Sequence, residues 1–210
     1  MRYHEGKTFL SNPRVFKRDK SLYLPNMYGL TLASPKQPQN TTSLLRGRIS
    51  VVNMFSSAWA EAQVKTFTGE TENPDLYEIL KSSGGPSVAQ KVDINLEENA
   101  FKAWLVRMFM GRLRKISGPE QHERYFLVRR GLTDTIKESI GMMNTKVGYV
   151  YLLDENCRIR WAGSGPAQED EIGALNNGIR RLLEEKKISQ ESETPVENWG
   201  NTEKKPSVVV

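Results

Sequence analysis

The sequence predicts an α/β fold in which helices flank a mixed β-sheet. An apolar run over residues 48–55 passes directly into residues with helical spacing, and a second apolar run starting at Val88 is also followed by a helical pattern. Two further apolar runs, 147–153 and 157–162, are joined by turn-forming residues. A strand-helix-strand crossover requires parallel strands, whereas a hairpin adds antiparallel ones. The sheet is therefore expected to contain both kinds of pairing.

Composition limits the chemistry that a single chain can perform. The 210 residues are 38% hydrophobic, which suffices for one domain with a real core. Cys157 is the only cysteine, so one chain can build neither an internal disulfide, nor a two-cysteine redox cycle, nor a four-cysteine zinc site. No apolar run approaches the ~20 residues that cross a bilayer, and the best candidate is interrupted by Arg107. We expect a soluble or peripheral protein of a reducing compartment, without cofactor or metal.

Residues 1–45 are predicted to form an extended basic arm that lies on the domain. Their prolines disfavour helix, and their aromatic residues are unlike a simple linker. Residues 1–48 contain two acidic groups and nine basic ones, a local charge of 9 − 2 = +7: Arg2, Lys7, Arg14, Lys17, Arg18, Lys20, Lys36, Arg46 and Arg48. Such a charge attracts anionic lipid, nucleic acid or an acidic protein surface, so its sign does not choose among them. A solvated arm is the simplest interpretation.

The domain itself is predicted over residues 46–187. A strand at 48–55 leads into a helix at 58–67, and a loop around 82–86 precedes the second strand. The helix that follows is treated separately below because its composition is unusual. These elements form the first two strand-to-helix units of the sheet.

An insert and a hairpin follow. Residues 123–130 have the composition of a short strand, and 133–140 that of one or two helical turns. The hairpin strands are 147–153 and 157–162, and Asp154-Glu155-Asn156 between them tolerate the backbone geometry of a tight turn. This hairpin supplies the antiparallel part of the sheet.

The last helix is predicted to begin at Pro166 and to end with Lys186 and Lys187, because proline suits the first helical position and basic residues favour the carbonyl end. Gly163-Ser164-Gly165 before it lacks the lysine of a phosphate-binding loop, so these glycines are interpreted as letting the chain leave the hairpin. Residues 188–210 are polar, and we expect a disordered tail there.

The stretch 51–63 resembles the first strand, active-site turn and first helix of a thioredoxin-like domain. In that register Ala60 and Gln63 occupy the two positions of a Cys-x-x-Cys pair, and neither can form a thiolate. The extra segment before the hairpin resembles that of peroxiredoxins. The predicted fold is therefore thioredoxin-like, or peroxiredoxin-like, without the reactive pair, and its predicted role is binding rather than redox catalysis.

One enzymatic alternative remains open at the sequence level. Cys157 has Arg158 and Arg160 beside it, which could lower its pKa and make the protein a one-cysteine peroxidase, although strand alternation sends those neighbours to the other face. A half-buried structural thiol is the favoured interpretation. The two histidines, His4 and His122, are too few for a histidine-rich metal site.

The helix between the second and third predicted strands carries a surplus of apolar residues. It is expected to begin at Asn95, because Glu98 three residues later completes a capping-box pattern, and to end near Ile116. Apolar residues cover almost its whole circumference: Phe101, Trp104, Leu105, Val106, Met108, Phe109, Met110, Leu113 and Ile116. A helix packed on a sheet needs an apolar stripe only about 100° wide, so the surplus must be covered by the arm, the insert or another protein, with cover from the same chain favoured.

Four stretches, 6–17, 22–29, 49–61 and 148–165, resemble the fungal family of mitochondrial ATP synthase assembly chaperones known as the ATPase complex subunit ten family. The resemblance implies a non-enzymatic, matrix-side protein, peripheral to the inner membrane. Such a protein engages newly made subunit a and promotes its joining to the ring of small subunits. A presequence and the segment after it are expected to be missing from this chain, and the tail after Lys187 matches nothing in the family pattern.

Five residues are predicted to contact the client: Trp59, Trp104, Met108, Met110 and Trp161. The tryptophans offer large apolar surfaces, and methionine side chains adapt to different apolar partners. Core packing is the competing interpretation, and it is favoured more for Trp161 than for Trp59. The basic arm is a candidate for contact with the inner-membrane surface or, as a rival function, with nucleic acid, but no nucleic-acid motif supports the latter.

Overall fold

The structure, a computed structural model, describes residues 6–191 apart from the side chain of Lys102. Its strands are β1 (Tyr28–Thr31), β2 (Gln39–Asn40), β3 (Ile49–Phe55), β4 (Ala89–Leu96), β5 (Tyr125–Val128), β6 (Tyr149–Leu153) and β7 (Ile159–Ser164). Its α-helices are α1 (Thr41–Leu45), α2 (Ala58–Thr68), α3 (Pro74–Ser82), α4 (Ala100–Ile116), α5 (Asp134–Ser139) and α6 (Glu169–Glu191). Short 3-10 turns occupy Arg18–Lys20 and Pro119–Gln121.

The seven strands of the described range form one sheet in the order β2-β1-β5-β4-β3-β6-β7. The pairs β3-β4 and β4-β5 are parallel, because the chain crosses over through α2 and α3 in the first case and through α4 in the second. The other pairs are antiparallel. All seven residues of β3 are buried, as expected for a strand covered on both faces. The mixed sheet flanked by helices is therefore confirmed.

The two faces of the sheet are covered in different ways. Helices α2, α3 and α6 pack on one face, where α2 buries Val64 and Phe67 one turn apart. Helix α4 packs near the β2 edge of the sheet, where Met110 packs with Leu32 and Leu127. Within the described residues the opposite face has no long helix; N-terminal residues, α1 and the segment after α5 cover it instead.

The predicted boundary at residue 45 has no counterpart in the structure. Strands β1 and β2 precede it but belong to the sheet, and Leu30 of β1 pairs with Leu127 of β5, almost a hundred residues away in sequence. Helix α1 buries Thr41 and Leu45. Residues 28–45 are therefore part of the domain and not an arm laid upon it. No local sequence pattern predicts a pairing between residues so far apart in the chain.

Residues 7–24, here called the strap, run along the outer edge of β7. The amide of Phe16 donates to the carbonyl of Arg160 at 2.6 Å, and the amide of Ile159 donates to the carbonyl of Leu22 at 2.7 Å. An uncovered sheet edge offers its unpaired backbone groups to other chains. The strap occupies these groups on β7, so this edge is closed to a bound polypeptide.

A buried ion pair holds the start of the strap. The Lys7 ammonium lies 2.7 Å from the Glu171 carboxylate of α6, with the two side chains only 4% and 6% exposed. Lys7 Nζ also donates to the carbonyls of Ser164 and Pro166, which completes its hydrogen bonding. Gly165 has φ +63°, and a Cβ there would lie 2.9 Å from the Lys7 Cα, so the close approach of the strap requires glycine.

The same contacts set the protonation of Glu171. Burial alone would raise the pKa of its carboxyl group, but hydrogen bonds from Lys7, the Ser11 amide and the Gln168 amide outweigh burial, and the pKa is lowered. The carboxylate is therefore charged at neutral pH and favours the docked strap.

Helices α3 and α4 differ from their sequence-based prediction. Asn95 is not a helix cap: it lies in β4, and its side-chain amide donates to the Tyr125 hydroxyl at 3.1 Å. Pairing of β4 with β5 keeps Asn95 extended, and the Asn99 side chain instead accepts from the Phe101 amide at the start of α4. Helix α3 was missed, although Pro74 at its first position is a recognised start signal.

The C-terminal helix also differs in its bounds. Helix α6 begins at Glu169, three residues after the predicted Pro166, because β7 extends to Ser164 and the chain must first leave the sheet. It continues to Glu191, so residues 188–191, assigned to the tail, are helical. The rest of the predicted tail, 192–210, lies outside the described residues.

Removal of the lysine of the buried pair should destabilise the fold. We expect Lys7→Met to lower the free energy of unfolding by roughly 3 kcal/mol, because the Glu171 carboxylate stays buried without its partner. The double variant Lys7→Met/Glu171→Leu should lose less than Lys7→Met alone. Urea unfolding followed by circular dichroism measures both, and equal losses would show that the strap is held by something else.

The ion pair should also make stability depend on pH. Because the pKa of Glu171 is lowered, its contribution is present above the ordinary glutamate pKa of 4.5 and is lost as pH falls through the folded value. Urea titrations at a series of acidic pH values should show a steeper loss in the wild type than in Glu171→Gln. Identical slopes would contradict the assignment.

Candidate functional site

The candidate site lies where β3 delivers the chain into α2, at the carboxyl ends of the parallel strands. Ser57 caps the helix: its backbone is extended and its Oγ accepts from the Ala60 amide at 3.1 Å. The Ser56 hydroxyl donates to the Thr145 carbonyl and so fixes the turn to the loop before β6. The predicted strand, turn and helix are confirmed, and both serines serve the turn.

Ala60 and Gln63 lie in the amino half of α2, as expected for the positions of a lost Cys-x-x-Cys pair, but both side chains are buried. Gln63 Oε1 accepts from the Gly148 amide at 2.9 Å. A Cβ at Gly148 would overlap the Ala60 carbonyl oxygen, so the loop before β6 packs directly on the helix. These residues therefore tie α2 to the sheet and do not line an open pocket.

Trp59 is the large side chain at the start of α2 that faces solvent. It is 50% exposed. Gly6 packs on one part of its ring, since a Cβ there would lie 3.0 Å from the indole Cη2. The rest of the ring is open to a partner, at the end of the helix where thioredoxin-like enzymes carry their thiols.

A cavity of about 250 Å³ opens beside this turn. It is lined by Met54, Phe55, Ser56, Leu96, Glu97, Glu98, Asn99, Lys137, Met142, Thr145 and Val147. Lys137 is the cation of the cavity; it lies 2.6 Å from Glu98 and 3.3 Å from Asp134. The hydrogen bond with Glu98 raises the pKa of Lys137, so this ammonium is charged and already paired. The cavity is of mixed polarity and contains no thiol.

Helix α4 has two apolar stripes on opposite sides. The inner stripe is buried or half-buried, and all its members except the first pack in one cluster with Leu32 and Leu127: Ala103, Val106, Met110 and Leu113. The outer stripe faces solvent with the spacing i, i+3, i+4, i+7: Phe101, Trp104, Leu105 and Met108. Leu105 is half-buried, whereas Phe101, Trp104 and Met108 are 54–67% exposed. The predicted cover from the same chain is therefore wrong for the described residues: none of them covers this stripe.

Two of the five predicted client residues lie inside the protein. Met110 belongs to the inner stripe of α4 and is 3% exposed. Trp161 is fully buried, packs edge-on against Phe67 and donates from Nε1 to the Asn12 carbonyl of the strap. Both are core residues, so their prediction as contact residues is wrong. The apolar periodicity of a helix or strand does not say which side faces the sheet.

Cys157 does not have the properties of a nucleophile. It lies in the hairpin turn with φ +62°, not in the predicted strand, and its side chain is buried. Burial raises the pKa of its thiol, the Asp154 charge adds to this, and Arg46 opposes it only in part. The alternative in which Arg158 and Arg160 lower this pKa is therefore not supported, and the favoured interpretation, a structural thiol, agrees with the burial of Cys157.

The basic N-terminal region is partly neutralised by its own contacts. Lys7 is paired with Glu171, and Arg18 lies 3.6 Å from Glu185 of α6. These charges hold the strap to the domain and are not offered to a partner. His122 Nε2 lies within hydrogen-bond distance of two carbonyls at the end of α4, and His4 lies outside the described residues.

Residues 6–191 contain neither a candidate metal site nor a candidate membrane-spanning helix. No group of three or more His, Cys, Asp and Glu side chains there could hold a metal ion. Likewise, none of the helices in that range combines the length and apolar character needed to span a membrane.

Known proteins resemble this chain along most of its length. A family model described as "ATP10 protein" matches residues 1–182. The chain is 33% identical over 184 residues to the mitochondrial ATPase complex subunit ATP10 of Candida glabrata, covering 87% of this chain and 64% of that protein. It is 31% identical over 185 residues to the protein of the same name from Saccharomyces cerevisiae, covering 85% and 66%. The chain thus spans slightly less than two thirds of these relatives.

Two solved structures share the architecture. One is a putative thiol:disulfide interchange protein DsbE from Chlorobium tepidum, with 14% identity, a TM-score of 0.50 and coverage of 80% of this chain and 99% of that one. The other is a secreted thiol-disulfide isomerase from Corynebacterium glutamicum, with 10% identity, a TM-score of 0.52 and coverage of 85% and 99%. At such identities the likeness shows the fold alone, and that fold is thioredoxin-like, as predicted.

Truncation of two tryptophans should separate core from surface. Trp161→Ala should destabilise the protein by roughly 3 to 5 kcal/mol, because it empties a fully buried site. Trp104→Ala should change stability by no more than about 0.5 kcal/mol, because its ring is largely in solvent. Urea unfolding of both variants tests this, and similar losses would show that the outer stripe of α4 is covered.

The Cys157 thiol should be unreactive in the folded protein. Its raised pKa reduces the thiolate fraction at neutral pH, and burial restricts access, so Ellman's reagent should react about tenfold or more slowly than with the unfolded chain. The rate should rise only at alkaline pH. Fast labelling at neutral pH would revive the peroxidase interpretation, as would peroxide consumption that Cys157→Ser abolishes.

Proposed function

The chain belongs to the ATP10 family, as its sequence resemblance predicted, and from this premise we propose that it is a chaperone for assembly of the membrane sector of mitochondrial ATP synthase. It binds newly made subunit a and promotes the association of that subunit with the ring of small subunits. The observation that carries the proposal is the family match over residues 1–182, on a fold shared with thiol-disulfide proteins but lacking their thiol pair.

A binding role without catalysis is supported by the chemistry of the site. Thiol exchange needs an accessible thiolate. The one cysteine lies in a hairpin turn, buried and with a raised pKa. The start of α2 presents capping hydroxyls and the Trp59 ring instead. The Trp59 ring, half exposed there, can contact a bound chain without reacting with it.

An apolar client is supported by an exposed side chain. Trp59 stands half exposed at the start of α2, where the client is proposed to bind. Such a side chain fits the apolar segments of a membrane subunit better than the polar surface of a folded soluble protein. The client contacts the turn at Trp59, whereas the edge of β7 is closed by the strap.

The proposed location is the matrix side of the mitochondrial inner membrane, with peripheral attachment. The relatives carry the name mitochondrial ATPase complex subunit, and a client of the membrane sector is met at that membrane. No cofactor is proposed.

Capture of the client should depend on Trp59. A photo-crosslinking amino acid replaces Ala58, and the protein is imported into isolated mitochondria. After irradiation, we expect mass spectrometry to identify subunit a in the crosslinked product. Trp59→Ser should reduce that crosslink about tenfold while the melting temperature is unchanged, because the ring is an exposed aromatic anchor.

The matched control is Tyr28→Ser, which removes an exposed aromatic ring from the opposite edge of the sheet. It should leave the crosslink intact. Failure to recover subunit a with the wild-type protein would reject the proposed client, and equal losses in both variants would reject Trp59 as the contact.

A further inference from the structure

The charged residues of helix α4 are all of one sign. Its sequence contains no acidic residue and five basic ones: Lys102, Arg107, Arg112, Arg114 and Lys115. The nearest acidic residues in sequence are Glu98 before the helix, which is paired with Lys137, and Glu120 after it. Helix α4 is therefore a strongly basic element in a domain whose net charge beyond residue 48 is slightly negative.

The charge and the apolar surface lie on one line. The outer stripe of α4 begins with Phe101, Trp104, Leu105 and Met108 and continues at the same helical spacing into Arg112 and Lys115. Phe101 and Trp104 stack on each other with ring centroids 6.0 Å apart. From Phe101 to Lys115, at about 1.5 Å per residue, this line is about 21 Å long, with an apolar, mostly aromatic first half and a basic second half.

We propose that the outer face of α4 lies in the headgroup region of an anionic phospholipid bilayer. A helix that binds in the plane of a membrane combines exposed aromatic and large apolar residues with lysine and arginine, and tryptophan is enriched at that depth. The apolar half enters the boundary between headgroups and acyl chains, and the basic half contacts phosphates. The inner stripe remains on the sheet, so the helix need not leave the domain.

Charge complementarity favours a lipid surface over an apolar protein partner. An apolar helix of a client would be matched by Phe101, Trp104 and Met108 but would gain nothing from Arg112 and Lys115. An anionic bilayer is matched by both halves at once. In the strap, Lys7 and Arg18 are held by Glu171 and Glu185 of the same chain, whereas Arg14 and Lys17 are exposed and therefore serve as the control below. The proposal therefore places a membrane contact on α4, whereas the sequence predicts one only for the basic arm.

The test uses the purified full chain and vesicles of phosphatidylcholine with or without phosphatidylglycerol. We expect the wild type to float with the mixed vesicles and not with phosphatidylcholine alone, and binding to weaken with added salt. Arg112→Glu/Lys115→Glu should reduce the partition coefficient about tenfold or more, because it reverses two charges at the surface. Trp104→Ser/Met108→Ser should reduce it as well. Circular dichroism melts check that both variants are folded.

The matched control is Arg14→Glu/Lys17→Glu, which makes the same charge change on exposed positions of the strap. It should reduce binding far less. An equal loss in this control, or absence of wild-type binding to the mixed vesicles, would overturn the proposal. So would an α4 variant that binds vesicles normally but loses the crosslink to subunit a, because α4 would then face protein.

A second measurement locates the helix in the bilayer. Brominated acyl chains should quench tryptophan fluorescence of the wild type and should quench Trp104→Phe much less, whereas quenching that is unchanged in this variant would reject the placement. The inference goes beyond the assembly role, and its tests need no client protein. Its failure would leave the proposed function standing, and loss of the subunit a crosslink in Trp59→Ser would leave the vesicle result unchanged.

Discussion

The buried pair of Lys7 and Glu171 is the constraint on which the arrangement of this domain depends. One face of the sheet has helices over it, but the other relies on N-terminal residues such as Phe9, Phe16 and Leu24 for its cover. The strap carries those residues, and a desolvated ion pair with all its hydrogen bonds made fixes its start, while backbone hydrogen bonds to β7 fix the rest. The same docking closes the edge of β7.

The start of α2 is closely packed at the positions where a thioredoxin-like redox enzyme would carry its thiol pair. An exposed redox pair requires a helix start that is open to substrate. Here Ala60 is buried, Gln63 accepts from the Gly148 amide, and a side chain at Gly148 would overlap the helix backbone. The start of α2 is thus fixed to the sheet by groups that a redox enzyme would keep accessible. A closely packed helix start with one projecting ring, that of Trp59, suits the proposed binding of a client chain.

Local patterns predicted the elements whose signals are complete within a few residues. The unbroken apolar run of β3, the turn between β6 and β7 and the spacing of α2 are of this kind. The strap and β1 are not, because the strap pairs with residues more than a hundred positions away and β1 pairs with β5 almost a hundred positions away, which leaves no local periodicity. Asn95 shows a third case, in which a correct local signal for a cap was overruled by strand pairing.

The predicted contact residues show that helical periodicity does not reveal which side chains face the sheet. Periodicity marked both Met108 and Met110 as apolar members of α4, but only the sheet decides that Met110 turns inward and Met108 outward. The surplus of apolar residues was nonetheless informative, because a helix needs only one stripe to pack. A second stripe that runs into Arg112 and Lys115 has no use inside the domain. Its combination of aromatic rings and positive charge is therefore best explained by a surface that offers both acyl chains and phosphates to one face of a helix.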